Sequence, residues 1–484
     1  MLFRSRTITY GELQWLVGQI AAFLHARDVR SNERVALLAN NSIEHLAAYF
    51  GVMAYGATIC TIHVEMNRTH LDHILPRLRP RLVLTEHGLG LDDLLREFDA
   101  PRLPLGRWKE SEPGSFFAEV ERGAPREAAA ADADENHDAV ILFTSGTSAR
   151  PKGVVLTFRE YLGNIAPAAQ GFGIGADDRI YDYRSYNWAS AQLLSALVPV
   201  CCGASVVMAR KFSVSRFFPH IRQYGATIAA GNPTTINMLL NSEETAHRRD
   251  VPTLRFLTSS SAPLLPDEWR RFEERFGIPV AQGYGCSEAG WMAAIPGEGR
   301  RLGTAGKPLP YHDLAIVDAE GRRLAAGEVG AIEVGGLGDH AYRYLAEDGS
   351  VEVGARGRMR TGDLGFLDDD GFLHVTGREK EIIIRGGVNI SPVEIDSLLM
   401  QRPDLIEAAT VGVPDEIYGE EVVSYVVPRG GASVDVAELL RYCNTVLPAF
   451  KAPKQIVLSP SLPKTERGKL DRKALVGLWS RERS

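Results

Sequence analysis

The chain is poor in the features that would send a protein out of the cell or into a membrane. Its 484 residues include five cysteines, Cys60, Cys201, Cys202, Cys286 and Cys443, with no C-x-x-C pair and no metal-ligand spacing. An odd, scattered set argues against a disulfide framework or a thiolate metal site and leaves reduced thiols as the reading. No segment reaches the 18 or so uninterrupted apolar residues of a membrane span, and the opening MLFRSRTITYGELQ lacks an apolar core of signal-peptide length. A cytoplasmic protein with no integral membrane part is expected. Excess positive charge is missing too: 54 Lys and Arg against 61 Asp and Glu give −7, so no global field draws nucleic acid. Internal repeats and long low-complexity tracts are absent. What is present, 45% hydrophobic and 24% charged residues with 47 Gly and 26 Pro, describes a globular, turn-rich protein. Its length exceeds the roughly 250 to 300 residues at which a single core stops growing, so two or three packed units are expected.

The pattern along the chain is that of α/β layers. Thr9-Tyr10-Gly11-Glu12 fits a capping box, and Leu13, Leu16, Val17, Ile20 and Leu24 then recur at helical spacing. RVALLAN (34–40) and RLVLT (81–85) read as buried strands flanking a helical SIEHLAAYFGVMAYGA. Residues 121–138 read as a surface linker, after which strand-like and helix-like runs alternate to about residue 285. From 311 to 377 short strands separated by Gly or Asp turns predict an antiparallel barrel or sheet. Ser391-Pro392-Val393-Glu394 reads as a second capping box, opening a compact α+β unit.

One stretch carries a chemical signal at once. In FTSGTSARPKGVV (143–155) an apolar strand runs into Thr144, Ser145, Gly146, Thr147 and Ser148, and Pro151-Lys152-Gly153 leads into a second strand. Hydroxyl donors, a glycine for close backbone approach and a lysine charge suit a phosphate, although the spacing is not that of a Walker loop. Taken alone, an exposed Ser/Thr turn fits equally well.

Four further segments follow in order: QGYGCSEAG (282–290), RTGDLG (360–365), GREKEIIIRGGVNISPVEID (377–396) and LPKTERGKLDR (462–472). With TSGTSARPKG they resemble the adenylate-forming superfamily, which includes acyl-CoA synthetases, peptide-synthetase adenylation domains and firefly luciferase. The resemblance runs from about residue 9 to about residue 472. It implies an α/β fold: a large N-terminal adenylation domain of α/β layers with a small antiparallel barrel-like subdomain (1–377), a hinge (378–381), and a small mobile C-terminal α+β domain (382–484).

The resemblance also implies roles. Thr144, Ser145, Gly146, Thr147, Ser148 and Lys152 would wrap the β- and γ-phosphates of ATP, with Ser287 touching phosphate. Glu288, with Thr144, would hold Mg2+, a hard cation suited to carboxylate and phosphate oxygens. Tyr284 would pack on adenine, framed by Gly283, Gly285 and the turn of Ser261, Ala262 and Pro263. Asp363 would accept the ribose hydroxyls, and Arg378 would support ribose and phosphate. Lys469 would bridge the acid carboxylate and the α-phosphate. Lys380 matches the hinge, while Arg385, Gly386 and Gly387 would line the path of coenzyme A. An aromatic after a strand is more often core than ligand shelf, which leaves Tyr284 open.

IIIRGGVNISPVEID is similar to the acyl-CoA synthetase form of its motif. Where amino-acid-activating domains carry an Asp for the substrate ammonium, this chain has Trp188, so an amino acid is disfavoured. Many relatives have an aromatic-His pair there; here Tyr186-Asn187-Trp188 stands instead, with Trp188 read either as a gate of the acyl pocket or as core. The pocket walls are expected to include Trp188, Ala189, Ser190, Gly231, Asn232 and Pro233. The reading is ATP-dependent activation of a carboxylic acid to an acyl adenylate, releasing pyrophosphate, then acyl transfer to coenzyme A. Two alternatives stand beside it: transfer to a carrier-protein phosphopantetheine, and a nucleotide-binding protein with little catalysis. The second is motivated by Ala149, which replaces a loop glycine of the family. Neither the acid nor the oligomeric state is legible.

Overall fold

A computed structural model describes residues 2–3, 6–96, 100–110, 112–123, 130–144, 151–295, 299–335, 341–430, 432–465 and 469–481. The tip of the phosphate-loop motif, Ser145, Gly146, Thr147, Ser148 and Ala149, lies outside them.

Two large sheets make the body of the N-terminal domain. In the eight-stranded sheet, Asp138–Thr144, Thr58–Thr61, Arg34–Leu38, Leu82–Thr85 and Arg102–Pro104 run parallel in that spatial order, as the apolar runs and the helix Ile43–Tyr55 between them require. Lys152–Thr157 pairs antiparallel with Asp138–Thr144, closing the motif hairpin. The nine-stranded sheet has a parallel centre of Ser205–Met208, Arg179–Asp182, Ile228–Ala229, Phe256–Ser259 and Val280–Cys286. One core cluster draws on both sheets, through Leu37 and Val140 from the first and Ile180 and Ala281 from the second, with Leu16, Tyr49 and Phe172 from helices between. The first helix, Tyr10–His25, starts at the capping box read from the sequence, with Thr9 and Glu12 bonded reciprocally.

Asp313–Val317, Gly330–Gly335, Arg358–Leu367 and Leu373–Arg378 form a four-stranded antiparallel sheet. The hairpin Ala341–Leu345/Val351–Arg356 leaves that run and joins the eight-stranded sheet through Lys152–Thr157. It is held there because Leu345 is buried and the Arg343 guanidinium meets the buried Asp138 carboxylate at 2.6 Å.

The C-terminal domain is a five-stranded sheet with the helices Pro392–Leu399, Val436–Val446 and Arg472–Arg481. The helix start at Pro392 is where the sequence puts it, but the capping box is not made. The Ser391 hydroxyl donates instead to the Thr376 carbonyl at 2.6 Å, and Glu394 pairs with Lys451 at 2.8 Å. Among the described residues, each hydrophobic cluster lies wholly before residue 378 or wholly after residue 382. Among the described residues the two domains therefore share no buried apolar cluster, and their contacts include the hydrogen bond from Arg429 Nη1 to Asn241 Oδ1 at 3.2 Å. Such a junction permits relative motion.

One buried acid makes the large domain sensitive to pH. Glu268, 5% exposed in the helix Pro266–Phe276, accepts from Asn237 Nδ2 at 2.8 Å, and burial pushes its carboxyl up to about 7. The native state therefore holds a proton that the unfolded chain has released, so this contribution is complete below the ordinary value of 4.5 and is lost as pH rises through about 7. Glu268→Gln should remove that decline, gaining roughly 1 to 3 kcal/mol over the native protein at pH 8 relative to pH 5. Urea melts at the two pH values check it, and parallel slopes for both proteins would refute it.

Candidate active site

Part of the candidate set lies at the carboxyl ends of strands in the two large sheets, the edge at which open α/β sheets hold ligands. In the nine-stranded sheet Trp188 follows Arg179–Asp182, Gly231 and Asn232 follow Ile228–Ala229, Ser261 follows Phe256–Ser259, and Tyr284 lies within Val280–Cys286. In the eight-stranded sheet Thr144 ends its strand and pairs in register with Lys152, so the two stand across the neck of the loop.

The tightest constellation joins two sheets. Tyr284 Oη donates to Asp363 Oδ2 at 2.7 Å, and Arg378 Nε stands 3.0 Å from Asp363 Oδ1. Asp363 and Arg378 face each other in register on adjacent antiparallel strands, and Asp363 is 7% exposed. Gly362 takes φ +76 and lets the chain turn just before this carboxylate. Burial, followed by the Asp363 charge, raises the Tyr284 phenol far above its ordinary range, so it remains a neutral donor.

Strand alternation sends Gly283 the other way. A β-carbon there would lie 2.5 Å from Phe172 Cζ and 3.0 Å from Trp291 Cζ3, two rings in edge-to-face contact at 4.9 Å. Gly283→Ala should therefore overpack this wall and cost about 1 to 3 kcal/mol, read as a lower urea midpoint. An unchanged midpoint would mean that the rings move aside freely. Beside it, Ser261 holds φ +74, a strained conformation for a residue with a side chain, in the turn that also carries Ala262 and Pro263. Leu264 N–H closes that turn on Gln282 Oε1 at 3.0 Å.

Glu288 and Lys152 meet around a residue that the sequence reading missed. Tyr344, on the displaced hairpin, lies 5.7 Å from Lys152 Nζ, ring centroid to nitrogen. Its phenol is pushed up to about 12, by burial first and then by the Glu288 charge. Burial, then Glu288, also raises the Cys286 thiol well above its usual value, which keeps it protonated. Ser287 and Glu288 are both partly buried in the turn after Val280–Cys286. Tyr344 lies in a stretch whose strand pattern pointed to the other sheet, so no sequence signal marked it.

The loop after Arg179–Asp182 is clamped by Asn41, also unmarked in the sequence. Asn41 Nδ2 donates to the Arg184 and Ala209 carbonyls at 2.8 and 2.9 Å, and Asn41 Oδ1 accepts from Tyr186 N–H at 2.9 Å. Arg184 in turn makes a buried pair with Asp182, 2.7 Å from Nη2 to Oδ2. Tyr186 and Asn187 are buried, whereas Trp188, Ala189 and Ser190 are partly exposed where the helix Ala189–Gln192 begins. Trp188 packs both on the core cluster around Ile62 and Phe143 and on the ring of His63. Gly231 is buried, and a β-carbon there would lie 2.5 Å from the Thr258 carbonyl oxygen. Asn232 uses its Oδ1 to cap the helix Pro233–Leu240 at Thr235 N–H, 2.9 Å away.

In the C-terminal domain, Arg385 Nε bonds Glu421 Oε1 at 2.5 Å and its guanidinium lies 4.3 Å from the Tyr418 ring centre. Gly386 and Gly387, at φ +58 and +83, make the two-residue turn between Ile383–Arg385 and Val388–Ile390, a turn that needs positive φ at both places. This hairpin is open to solvent, with Ile384 54% and Val388 41% exposed. Lys380 sits exposed in the short turn Glu379–Glu381. Lys469 is partly buried; its carbonyl accepts from Thr465 N–H at 2.7 Å, and Lys464 and Leu470 pair beside it. Arg472 then links this hairpin to the turn at Lys380, reaching Glu381 at 3.1 Å and Asp396 at 2.6 Å.

Comparison with known proteins shows the family and the fold. The AMP-binding enzyme family model matches residues 1–339, and the model of the AMP-binding enzyme C-terminal domain matches 394–469. The chain is 34% identical to a sulfoacetate–CoA ligase of Cupriavidus necator, over 98% of this chain and 92% of that protein. It is 30% identical to an oxalate–CoA ligase of Arabidopsis thaliana, over 96% and 92%. Crystal structures of MatB from Rhodopseudomonas palustris, 26% identical and covering 100% of this chain and 96% of theirs, superpose with a TM-score of 0.89 in the ATP-bound form and 0.78 in the apo form. With both family domains matched in order and the shared fold in place, the chain belongs to the AMP-binding enzymes, as an AMP-forming acid–CoA ligase.

Proposed function

We propose that the carboxylate edge of the two sheets is where this ligase activates a small carboxylic acid with ATP, and that the residues gathered there divide the work. The observation that carries the reading is the Tyr284–Asp363–Arg378 constellation, which puts a buried, acceptor-only carboxylate beside a phenol and a guanidinium. Asp363 binds the ribose hydroxyls, Arg378 supports ribose and phosphate, Tyr284 stands by the adenine, and the Ser261–Pro263 turn frames it. Thr144 and Lys152, with Ser145 to Ser148, hold the β- and γ-phosphates, and Ser287 assists.

A single partly buried carboxylate, Glu288, near the lysine that faces Thr144 suits Mg2+, which binds through one or two carboxylates plus substrate phosphates and water. When bound, the ion would neutralise charge on the departing pyrophosphate. The acid oxygen then attacks the α-phosphorus in line with that leaving group. Lys469 bridges both partners and stabilises the charge of the transition state.

The reading extends to motion. Residues 1–377 and 382–484 act as two bodies turning about Lys380, supported by a junction at which, among the described residues, they share no buried apolar cluster. The higher likeness to the ATP-bound MatB form and the solvent-exposed hairpin at Arg385, Gly386 and Gly387 support an adenylate-forming orientation. Rotation would carry Lys469 out and that hairpin in, where coenzyme A receives the acyl group.

The acid is taken to be short and to carry a second anionic group, on the strength of the sulfoacetate- and oxalate-specific relatives. Activity in the cytoplasm accords with five unpaired thiols and with the lack, among the described residues, of a helix long and apolar enough to cross a membrane. A panel of acids assayed for pyrophosphate release, with free coenzyme A and with a phosphopantetheinylated carrier protein, tests substrate and acceptor together. Short dianionic acids with free coenzyme A should give the fastest turnover. A preference for long aliphatic acids would overturn the substrate class, and thioester formed only on the carrier would overturn the acceptor.

A further inference from the structure

Trp188 is the partly exposed member of the Tyr186-Asn187-Trp188 set, next to Ala189 and Ser190 in the expected wall of the acid pocket, and its indole is not held by its own loop alone. The ring of His63 lies against it in a near-parallel stack, with centroids 4.8 Å apart and planes 21° from each other. His63 belongs to the opposite sheet, in the loop that follows the strand Thr58–Thr61. That strand runs parallel to Asp138–Thr144, with Thr61 opposite Leu142. Continuing the register by two residues brings His63 level with Thr144, the root of the phosphate loop. The stack therefore joins the loop after Arg179–Asp182 in one sheet to the loop after Thr58–Thr61 in the other. Its imidazole is itself tethered, since His63 Nδ1 accepts from Glu65 N–H at 3.3 Å. On its other side Trp188 packs on the cluster that holds Ile62 and Phe143, so the indole is gripped on two sides.

We propose that His63 is a positioning residue of the acid site: by stacking on Trp188 it fixes the indole as a wall of the acid pocket, and so limits the length of acid accepted. This deepens the reading of a short-acid ligase and rests on it. A planar imidazole on an indole face supplies dispersion and quadrupole attraction in one geometry, and a ring pair of this kind is worth a factor of roughly 2 to 10 in an equilibrium. Losing the ring frees Trp188 to swing, which weakens the fit to a short acid and opens room for a longer one. The residues assigned to ATP include neither ring, so its binding is not expected to change.

The test uses the full-length protein, acid-dependent ATP–pyrophosphate exchange, and the variants His63→Ala, His63→Asn and His63→Phe. His63→Ala and His63→Asn should raise the KM of the preferred short acid roughly 5- to 10-fold, leave kcat and the KM of ATP within about two-fold, and improve kcat/KM for acids two or three carbons longer. His63→Phe, which keeps the stack, should restore the short-acid KM. The proposal is overturned if the short-acid KM of His63→Ala is unchanged, if acid and ATP KM rise together, or if His63→Phe behaves like His63→Ala. Should His63→Ala not fold, the His63→Asn and His63→Phe pair decides by the same split. A wild-type protein with no exchange for any acid strikes at the functional reading itself, whereas normal wild-type exchange with unaffected variants strikes at this inference alone.

Discussion

Lys469→Ala is expected to lower acid-dependent pyrophosphate exchange by about 10²- to 10³-fold, the loss typical of removing one preorganised group that neutralises developing charge. The same variant should convert a supplied acyl adenylate and coenzyme A to thioester at close to the native rate. The asymmetry follows from the chain itself. Lys469 stands on a hairpin closed by Thr465 and by the Lys464–Leu470 pairing, and Arg472 ties that hairpin to Glu381 in the turn about which the domain would rotate. In the proposed rotation, a lysine carried on the moving body would serve one half-reaction and leave for the other. Equal loss of both half-reactions would contradict the two-orientation account and leave Lys469 a fixed part of a single site.

The second large effect concerns Asp363. In Asp363→Ala the proposed nucleotide site loses a buried carboxylate acceptor, and two hydrogen bonds to a charged group at about 1.5 to 3 kcal/mol each imply an ATP KM raised at least roughly 100-fold. Asp363→Asn retains the shape and the contact with Tyr284 but not the charge, so a rise of about 10-fold is expected, with acid KM little changed. Fold loss is distinguished by urea melts, because Arg378 is about half exposed and tolerates losing its partner. Native ATP KM with lowered stability in both variants would make Asp363 a structural turn residue and remove the nucleotide from this place.

How far the sequence carried these conclusions differs from element to element. Periodicity and capping chemistry are local, and they located the strand–helix–strand layers and the first helix at its Thr9 cap, because parallel strands buried on both faces must be apolar throughout. Local chemistry misled at Ser391, where the cap pattern is present but the hydroxyl has a better acceptor in the Thr376 carbonyl of the neighbouring strand. It also misled at 341–356, whose alternating strands suit either antiparallel partner; the buried Asp138 carboxylate, some two hundred residues earlier in the chain, decided in favour of the eight-stranded sheet.

The site shows the same division. The motif residues Tyr284, Asp363 and Arg378 were named from the sequence, but that a phenol from one sheet closes on a carboxylate paired across a second is tertiary information. Asn41, His63 and Tyr344 carried no pattern at all. Each matters through a partner far along the chain, Arg184 and Tyr186 for the first, Trp188 for the second, Lys152 and Glu288 for the third. Glycines were read for their freedom near ligands, whereas Gly283 is required by the rings of Phe172 and Trp291, and Gly386 and Gly387 by a tight hairpin.

If carboxylate activation at this site is a separate step that precedes any thiol, ATP–pyrophosphate exchange on the native protein, with its preferred acid and Mg2+ but without coenzyme A, should be present and should depend on the acid. AMP and thioester should then form in equal amounts once coenzyme A is added. Thioester formation with no exchange in the absence of coenzyme A, or with ADP as the product, would contradict that order of steps.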